Sequence, residues 1–203
     1  MLFITIGESP RDDVVPELVK IIGKKDLHYT EIGLIDGVDP DEYKPEVGEE
    51  LLVSRKRDGT VAHISHRWVA EKLSKMDFGD LAVLLCTAKF QDDRLILPYK
   101  VIDSFFKAMP RMHRATVVVP EEEQCKDALK RWGKIAQTVK CIYFSPYEKE
   151  TIDENFIELK DQQLVYLDCV GFTLQHERYF KKYTDGIVLS ARKILGNYLR
   201  TFL

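Results

Sequence analysis

Short, strongly apolar runs alternate with amphipathic stretches along the chain, and this alternation limits the folds that it can adopt. The apolar runs lie at 2–6, 32–35, 81–85, 116–119, 141–144, 164–167 and 187–189, and stretches with helical spacing lie at 12–22, 67–75, 98–108, 121–136, 175–182 and 191–202. Short continuous apolar runs are typical of buried parallel strands. Strands that alternate with helices form βαβ units. The sequence therefore predicts an α/β protein with mainly parallel sheets flanked by helices.

One segment breaks this alternation. Residues 50–66 contain two strand-like runs on either side of Asp58-Gly59. Asp and Gly tolerate the positive φ angles of a type I′ turn. We therefore predict an inserted β-hairpin near residues 50–66 with a turn of that type.

Composition narrows the class of partner. At 203 residues the chain suits one large domain or two small lobes around a cleft. Its 30 Lys and Arg residues nearly balance 33 Asp and Glu residues, so no strong field favours nucleic acid or a membrane surface. The expected partner is a small molecule. No apolar run approaches the ~20 residues of a spanning helix, and the first residues lack the basic start of a signal peptide. We expect a cytoplasmic protein, and a homodimer stays open.

The four cysteines are Cys86, Cys125, Cys141 and Cys169. They lie far apart and lack the paired spacing of a zinc site or the secretory context of a disulfide framework. We expect four free thiols, with Cys125 and Cys141 structural. No metal and no cofactor are predicted.

The other two cysteines have similar sequence contexts. The apolar run LAVLLC ends at Cys86, and the run LVYLDC ends at Cys169. Ligands bind beyond the carboxyl ends of parallel strands, so two similar lobes would present both thiols to one cleft. We expect lobe one to comprise 1–90 plus 187–203, and lobe two to comprise 91–186. The alternative is that both cysteines are plain core residues, because free cysteine is among the most buried residue types.

The turn after the first strand, Gly7-Glu8-Ser9-Pro10-Arg11-Asp12, offers an anion cradle. Ser9 can cap the next helix, and exposed amides with Arg11 would hold a carboxylate. The alternative is an ordinary helix cap with a solvated Arg11. The further candidates for substrate binding are Gly7, Glu8, Arg55, Thr87, Ala88, Gly171, His176 and Arg192. Turns at 120–124 and 145–147 are expected near the same cleft, although turn formation alone explains them.

Several motifs resemble the AroM family, in order and across nearly the whole chain. They are TIGESPRDDVVPEL, PEVGEELLVSRKRDGT, LLCTAKF, VVVPEEEQ, FSPY and LDCVGFT. More distantly, the two cysteine motifs resemble the aspartate/glutamate/hydantoin racemase superfamily. That resemblance implies two pseudo-symmetric α/β lobes, each with one cysteine at a central cleft, and no cofactor. Thr87 follows Cys86 where those racemases carry Asn, and Val170 follows Cys169 where they carry Thr.

These observations lead to a functional hypothesis with open alternatives. The chain is interpreted as a cofactor-independent racemase or isomerase-like enzyme that acts on a small carboxylate, with Cys86 and Cys169 as its acid/base pair. Catalysis by one cysteine alone would give a lyase or a cis-trans isomerase. A non-catalytic binding or sensor protein is the main rival. A redox disulfide between Cys86 and Cys169 is the third possibility.

Overall fold

Two parallel sheets form the framework of the protein, in a computed structural model that describes residues 1–79, 81–147 and 159–203. The first sheet has the order β2-β1-β5 and contains β1 (Leu2–Thr5), β2 (Thr30–Gly33) and β5 (Ala82–Leu84). The second has the order β7-β6-β8-β9 and contains β6 (Met112–Val119), β7 (Ala136–Tyr143), β8 (Leu164–Leu167) and β9 (Ile187–Ser190). Every neighbouring pair in these two sheets is parallel. The predicted α/β class is confirmed.

Helices flank both sheets. They are α1 (Val15–Ile22), α2 (Pro40–Tyr43), α3 (His66–Ser74), α4 (Pro98–Ala108), α5 (Cys125–Trp132), α6 (Leu174–Phe180) and α7 (Ala191–Arg200), with a 3-10 turn at Glu122–Gln124 before α5. Helix α1 buries Val15, Leu18 and Ile22, which recur at helical spacing and so face the core together. The predicted helix at 121–136 is too long, because Ala136 already begins β7. Within the described residues no helix has the length and apolarity needed to cross a bilayer.

The two sheets share one strand order. In each, the first strand along the chain is central, the second lies on one side and the third on the other. Strands β5 and β8 hold equivalent positions, and the last paired residues, Leu84 and Leu167, each precede a cysteine by two positions. The two similar runs that end in Cys86 and Cys169 therefore form strands at equivalent places in the two sheets.

Strands β3 (Leu51–Arg55) and β4 (Val61–Ser65) pair antiparallel and form the inserted hairpin. The predicted type I′ turn is wrong, because Gly59 has a φ of 88° while no described residue other than glycine has a positive φ. A five-residue loop replaces it, closed by the Lys56 N–H, which donates to the Thr60 carbonyl at 2.8 Å. The Asp58 carboxylate satisfies the Thr60 N–H at 2.8 Å, which stabilises the loop.

The C-terminal part of the chain differs from the expected division into lobes. Strand β9 pairs with β8 in the second sheet, although 187–203 was assigned to lobe one. An apolar parallel strand needs a hydrogen-bonded neighbour, and β8 supplies it. Helix α7 then returns to pack against α1 and α4. Helix α7 therefore contacts helices on both sides of the predicted boundary between the lobes.

The expectation of four free thiols is also wrong. Cys125 and Cys141 form a disulfide with a Cα–Cα distance of 5.6 Å, while Cys86 and Cys169 are free. Helix α5 packs on β7, which brings the two cysteines together although their spacing in the sequence matches no disulfide pattern. Because disulfides persist in oxidising compartments, the cysteine content no longer supports a cytoplasmic location.

This disulfide predicts the thiol count and the effect of reduction. Under denaturing conditions without reductant, titration with Ellman's reagent should find two reactive thiols, and after reduction it should find all four. Opening a loop of this length should lower the free energy of unfolding by about 3 kcal/mol, because the unfolded chain gains entropy. Urea unfolding of the Cys125→Ala/Cys141→Ala variant measures this loss. Four reactive thiols in the unreduced chain would refute the bond.

Candidate functional site

The ends of β5 and β8 open onto one narrow cleft. Its walls include Cys86, Cys169, Arg11, Arg131 and Tyr147, and the hairpin strand β3 borders it. The free volume is about 30 Å³, which is space for one or two water molecules. A larger ligand therefore needs a wall residue to move aside.

The two thiols have matching surroundings. Burial raises the pKa of the Cys86 thiol to about 12, and the Ala88 N–H, which donates to its sulfur, offsets this only in part. Burial also raises the pKa of Cys169, whose sulfur accepts from the Gly171 N–H at 3.3 Å. In each case the donor lies two residues beyond the cysteine. Such N–H groups favour the thiolate, but both thiols are protonated at neutral pH in this closed arrangement.

A guanidinium from the opposite lobe accompanies each thiol. Arg11, in the loop after β1, opposes the effect of burial on Cys169. Arg131, on α5, does the same for Cys86. Each sheet thus contributes one thiol to the cleft and one cation that favours ionisation of the other sheet's thiol.

Arg11 is buried rather than solvated, with 3% of its surface exposed. Its Nε and Nη2 donate to the two Asp13 carboxylate oxygens, both at 2.8 Å. Its Nη1 donates to Thr5 Oγ1 at 3.1 Å and to Ser54 Oγ at 2.9 Å. Ser54 belongs to the hairpin, and Gly7 permits this packing because a side chain at position 7 would collide with the Ser54 hydroxyl. The predicted alternative of a solvated Arg11 is wrong.

The predicted anion cradle does not form. Helix α1 begins at Val15, so Ser9 does not cap it. The Ser9 N–H donates to the Asp36 carboxylate at 3.2 Å and its hydroxyl does so at 2.5 Å. The Arg11 N–H donates to Glu31 Oε2 at 2.7 Å. These donors are occupied by the protein's own carboxylates, which leaves the Arg11 side chain as the part of this loop that faces the cleft.

The other predicted binding residues divide into two groups. Thr87 and Ala88 line the cleft, where the Thr87 hydroxyl donates to the Asp168 carbonyl at 3.4 Å. Glu8 and Arg55 line a neighbouring surface groove instead, which shares Arg11 with the cleft. Glu8 accepts there from the Arg57 N–H at 2.8 Å, which fixes the loop after β1 to the hairpin.

Arg192 lies behind Cys169 and holds the turn that follows it. Its Nε donates to the Val170 carbonyl at 2.8 Å, Nη2 to the Gly171 carbonyl at 3.1 Å and Nη1 to Glu17 Oε2 at 2.8 Å. Burial lowers its pKa. Because its donors serve the protein itself, Arg192 is a positioning residue.

His176 caps α6. Its Nδ1 accepts from the Thr173 N–H at 3.0 Å, and the Thr173 hydroxyl accepts from the His176 N–H at 3.2 Å. The ring packs at right angles to Phe172. These contacts form a capping box at the start of α6. His176 therefore has a structural role.

The sequence predicted only a turn at 145–147 near the cleft, whereas the structure places the Tyr147 side chain beside Cys169. Its hydroxyl lies 3.9 Å from the Cys169 sulfur, and burial raises its pKa far above the usual range. Gly171 makes room for it, since a Cβ there would lie 2.7 Å from the Tyr147 hydroxyl. The position of Tyr147 after a strand in FSPY was the available signal.

A second group surrounds Asp168, and none of its residues was predicted from the sequence. The fully buried Asp168 carboxylate accepts from Trp132 Nε1 at 2.6 Å, Tyr166 Oη at 3.1 Å and Arg131 Nη2 at 3.2 Å. Arg131 Nη1 also donates to Glu50 at 2.7 Å. Periodicity could not distinguish Arg131 from the neighbouring surface cations of α5, because only the fold turns it toward the cleft.

These features define a class: a two-sheet α/β protein in which equivalent strand ends deliver two free thiols to one cleft. The chain belongs to the AroM protein family, whose sequence model matches residues 1–203. No curated protein matches the chain.

The bonding of Arg192 predicts a large effect on stability. Arg192→Met should lower the free energy of unfolding by about 3 kcal/mol, because it removes the donor of the Val170 and Gly171 carbonyls and the cation that pairs with Glu17. Arg178→Met, which changes an exposed arginine on α6, is the matched control and should cost less than about 0.5 kcal/mol. Urea unfolding compares the two. Equal stability of both variants would contradict the positioning role.

The raised pKa of Cys86 predicts its reactivity toward iodoacetamide. With a pKa of about 12, the thiolate fraction rises with pH, so labelling should accelerate about tenfold per unit from pH 7 to pH 10 without a plateau. Pulsed labelling followed by peptide mapping measures the rate at Cys86. A rate that levels off above about pH 9 would mean that the thiol behaves as an exposed cysteine.

Proposed function

We propose that the protein is a cofactor-independent racemase or isomerase-like enzyme that acts on a small carboxylate, with Cys86 and Cys169 as its acid/base pair. The observation that carries this proposal is the delivery of two free thiols to one cleft from equivalent strand ends. Two thiols that served only packing would not need matching N–H donors and matching cations.

In the proposed reaction one thiol first loses its proton to solvent, and the thiolate that forms removes the proton from the carbon beside the substrate carboxylate. The electron pair of the C–H bond enters the enolate, and the opposite thiol gives its proton to the other face of the same carbon. The second cysteine is then the thiolate and the first is the thiol. Atoms and charge balance, and the reverse reaction restores the starting state.

The surroundings of the thiols supply the assistance that this chemistry needs. A buried thiol ionises with difficulty, and Arg11 and Arg131 each reduce that cost for one cysteine. The N–H groups of Ala88 and Gly171 add a fixed donor at each sulfur. Donors set in place before the reaction are more effective than water, because they need no reorganisation as charge develops.

Solvent deuterium exchange tests the proposal. The protein is incubated in D₂O with a panel of small amino, hydroxy and dicarboxylic acids, and NMR follows the α-proton of each. We expect exchange with at least one acid, and we expect Cys86→Ser or Cys169→Ser to reduce its rate by a factor of about 100 or more, since serine is a far weaker acid/base group.

The matched control is the Cys125→Ser/Cys141→Ser variant, which changes the other two cysteines and should keep the exchange activity. Lack of exchange across the panel, with both cleft thiols tolerant of serine and a ligand still bound, would favour the non-catalytic binding protein. Exchange that needs only one cysteine would favour a one-base isomerase or lyase.

A further inference from the structure

Arg131 has an unusual set of partners for a cation in a cleft wall. Its Nη1 donates to Glu50 at 2.7 Å and its Nη2 to Asp168 at 3.2 Å. Its Nε is buried and has no hydrogen-bond partner among the described residues. Buried N–H groups are almost always paired, and an orphaned one requires an explanation.

We propose that Arg131 is the residue that binds the carboxylate of the ligand, and that the Glu50 side chain occupies this place until the ligand arrives. The ligand class is a small acid whose carboxylate replaces that of Glu50 on Nη1. This inference rests on the proposed function for the reaction, but the binding step stands on the contacts of Arg131 itself.

Of the two carboxylates on Arg131, Glu50 is the one that can leave. Asp168 is fully buried and holds two further donors, Trp132 and Tyr166. The Glu50 side chain keeps 27% of its surface exposed, and the His66 Nε2 lies 4.0 Å from its carboxylate. A partly exposed side chain can turn into solvent at low cost, whereas a buried carboxylate with three donors cannot.

The hairpin backbone can remain in place during this exchange. Gln124 Nε2 donates to the Leu51 carbonyl at 3.1 Å, which fixes the start of β3 to the second lobe. Departure of Glu50 is therefore a side-chain rotation. It also enlarges a cleft that holds only about 30 Å³, so the same rotation exposes the cation and makes room for the ligand.

Charge selects the class of ligand. One cation already faces two carboxylates, so an incoming anion would meet repulsion unless Glu50 leaves. A carboxylate that replaces Glu50 preserves the pairing, whereas a neutral amide of the same shape would leave the cluster one charge short. The site therefore favours acids over their amides.

Two alkylating reagents of nearly equal size test this preference at Cys86, which lines the same cleft as Arg131. Iodoacetate carries a carboxylate and iodoacetamide carries the neutral amide. The ratio of their labelling rates, measured by mass spectrometry of the Cys86 peptide, is independent of the thiolate fraction because both reagents consume the same thiolate. A change in the pKa of Cys86 therefore does not alter this ratio.

We expect Glu50→Gln to raise the iodoacetate-to-iodoacetamide ratio about fivefold or more, because the competing anion is gone. Adding Arg131→Gln to that variant should return the ratio to the wild-type value or lower. Glu49→Gln is the matched control. The Glu49 carboxylate lies 3.2 Å from Arg67 Nε, and Glu49 does not line the cleft. This variant removes the same charge one residue earlier and should leave the ratio unchanged.

Wild-type protein gives a test that needs no variant. Propionate should slow the labelling of Cys86 by iodoacetamide, and propionamide at the same concentration should not. Equal effects of the two compounds, or a Glu50→Gln ratio equal to that of Glu49→Gln, would overturn the proposal.

The outcomes also separate this inference from the proposed function. The expected ratios without deuterium exchange would leave a carboxylate-binding site that lacks the reaction. Deuterium exchange without the expected ratios would leave two-thiol catalysis with the carboxylate held by another residue.

Discussion

The cleft depends on the hydrogen bonds that the buried carboxylate of Asp168 accepts. This carboxylate joins α5 to the end of β8 by accepting from Trp132 at 2.6 Å and from Arg131 at 3.2 Å. The main-chain carbonyl of Asp168 accepts from the Thr87 hydroxyl at 3.4 Å, which connects the end of β8 to the end of β5. A buried charge is tolerated only where donors surround it. Asp168 therefore fixes the position of Arg131 in the cleft that Cys169 also lines, and it holds the end of β5 against the end of β8.

Around this anchor the cleft follows a crossed arrangement. The thiol at the end of β5 faces a cation from α5, and the thiol at the end of β8 faces Arg11 from the first lobe. Neither lobe alone contains both parts of either pair. Burial outweighs the crossed cations, so the pKa of each thiol stays raised and both thiols are protonated at neutral pH.

Much of the fold could be predicted from the sequence, because apolar runs identify strands such as β8 and helical spacing identifies α4. The strand-end positions of Cys86 and Cys169 were also readable, since each cysteine stands where an apolar run ends. Long-range pairings were not readable: the Cys125–Cys141 disulfide and the Ser9–Asp36 contact depend on segments that meet only after folding. Arg131 was missed for the same reason, because no local pattern says which cation of a helix turns inward.

The central claim is that thiols from two different sheets share one cleft. Cross-linking with 1,3-dichloroacetone, a small neutral reagent that alkylates one thiol at each end, measures this directly in the native protein. We predict one three-carbon bridge that joins the Cys86 peptide to the Cys169 peptide, identified by mass spectrometry, and no bridge in Cys86→Ser or Cys169→Ser. Separate adducts on the two cysteines, with no bridged peptide while both remain reactive, would contradict the shared cleft.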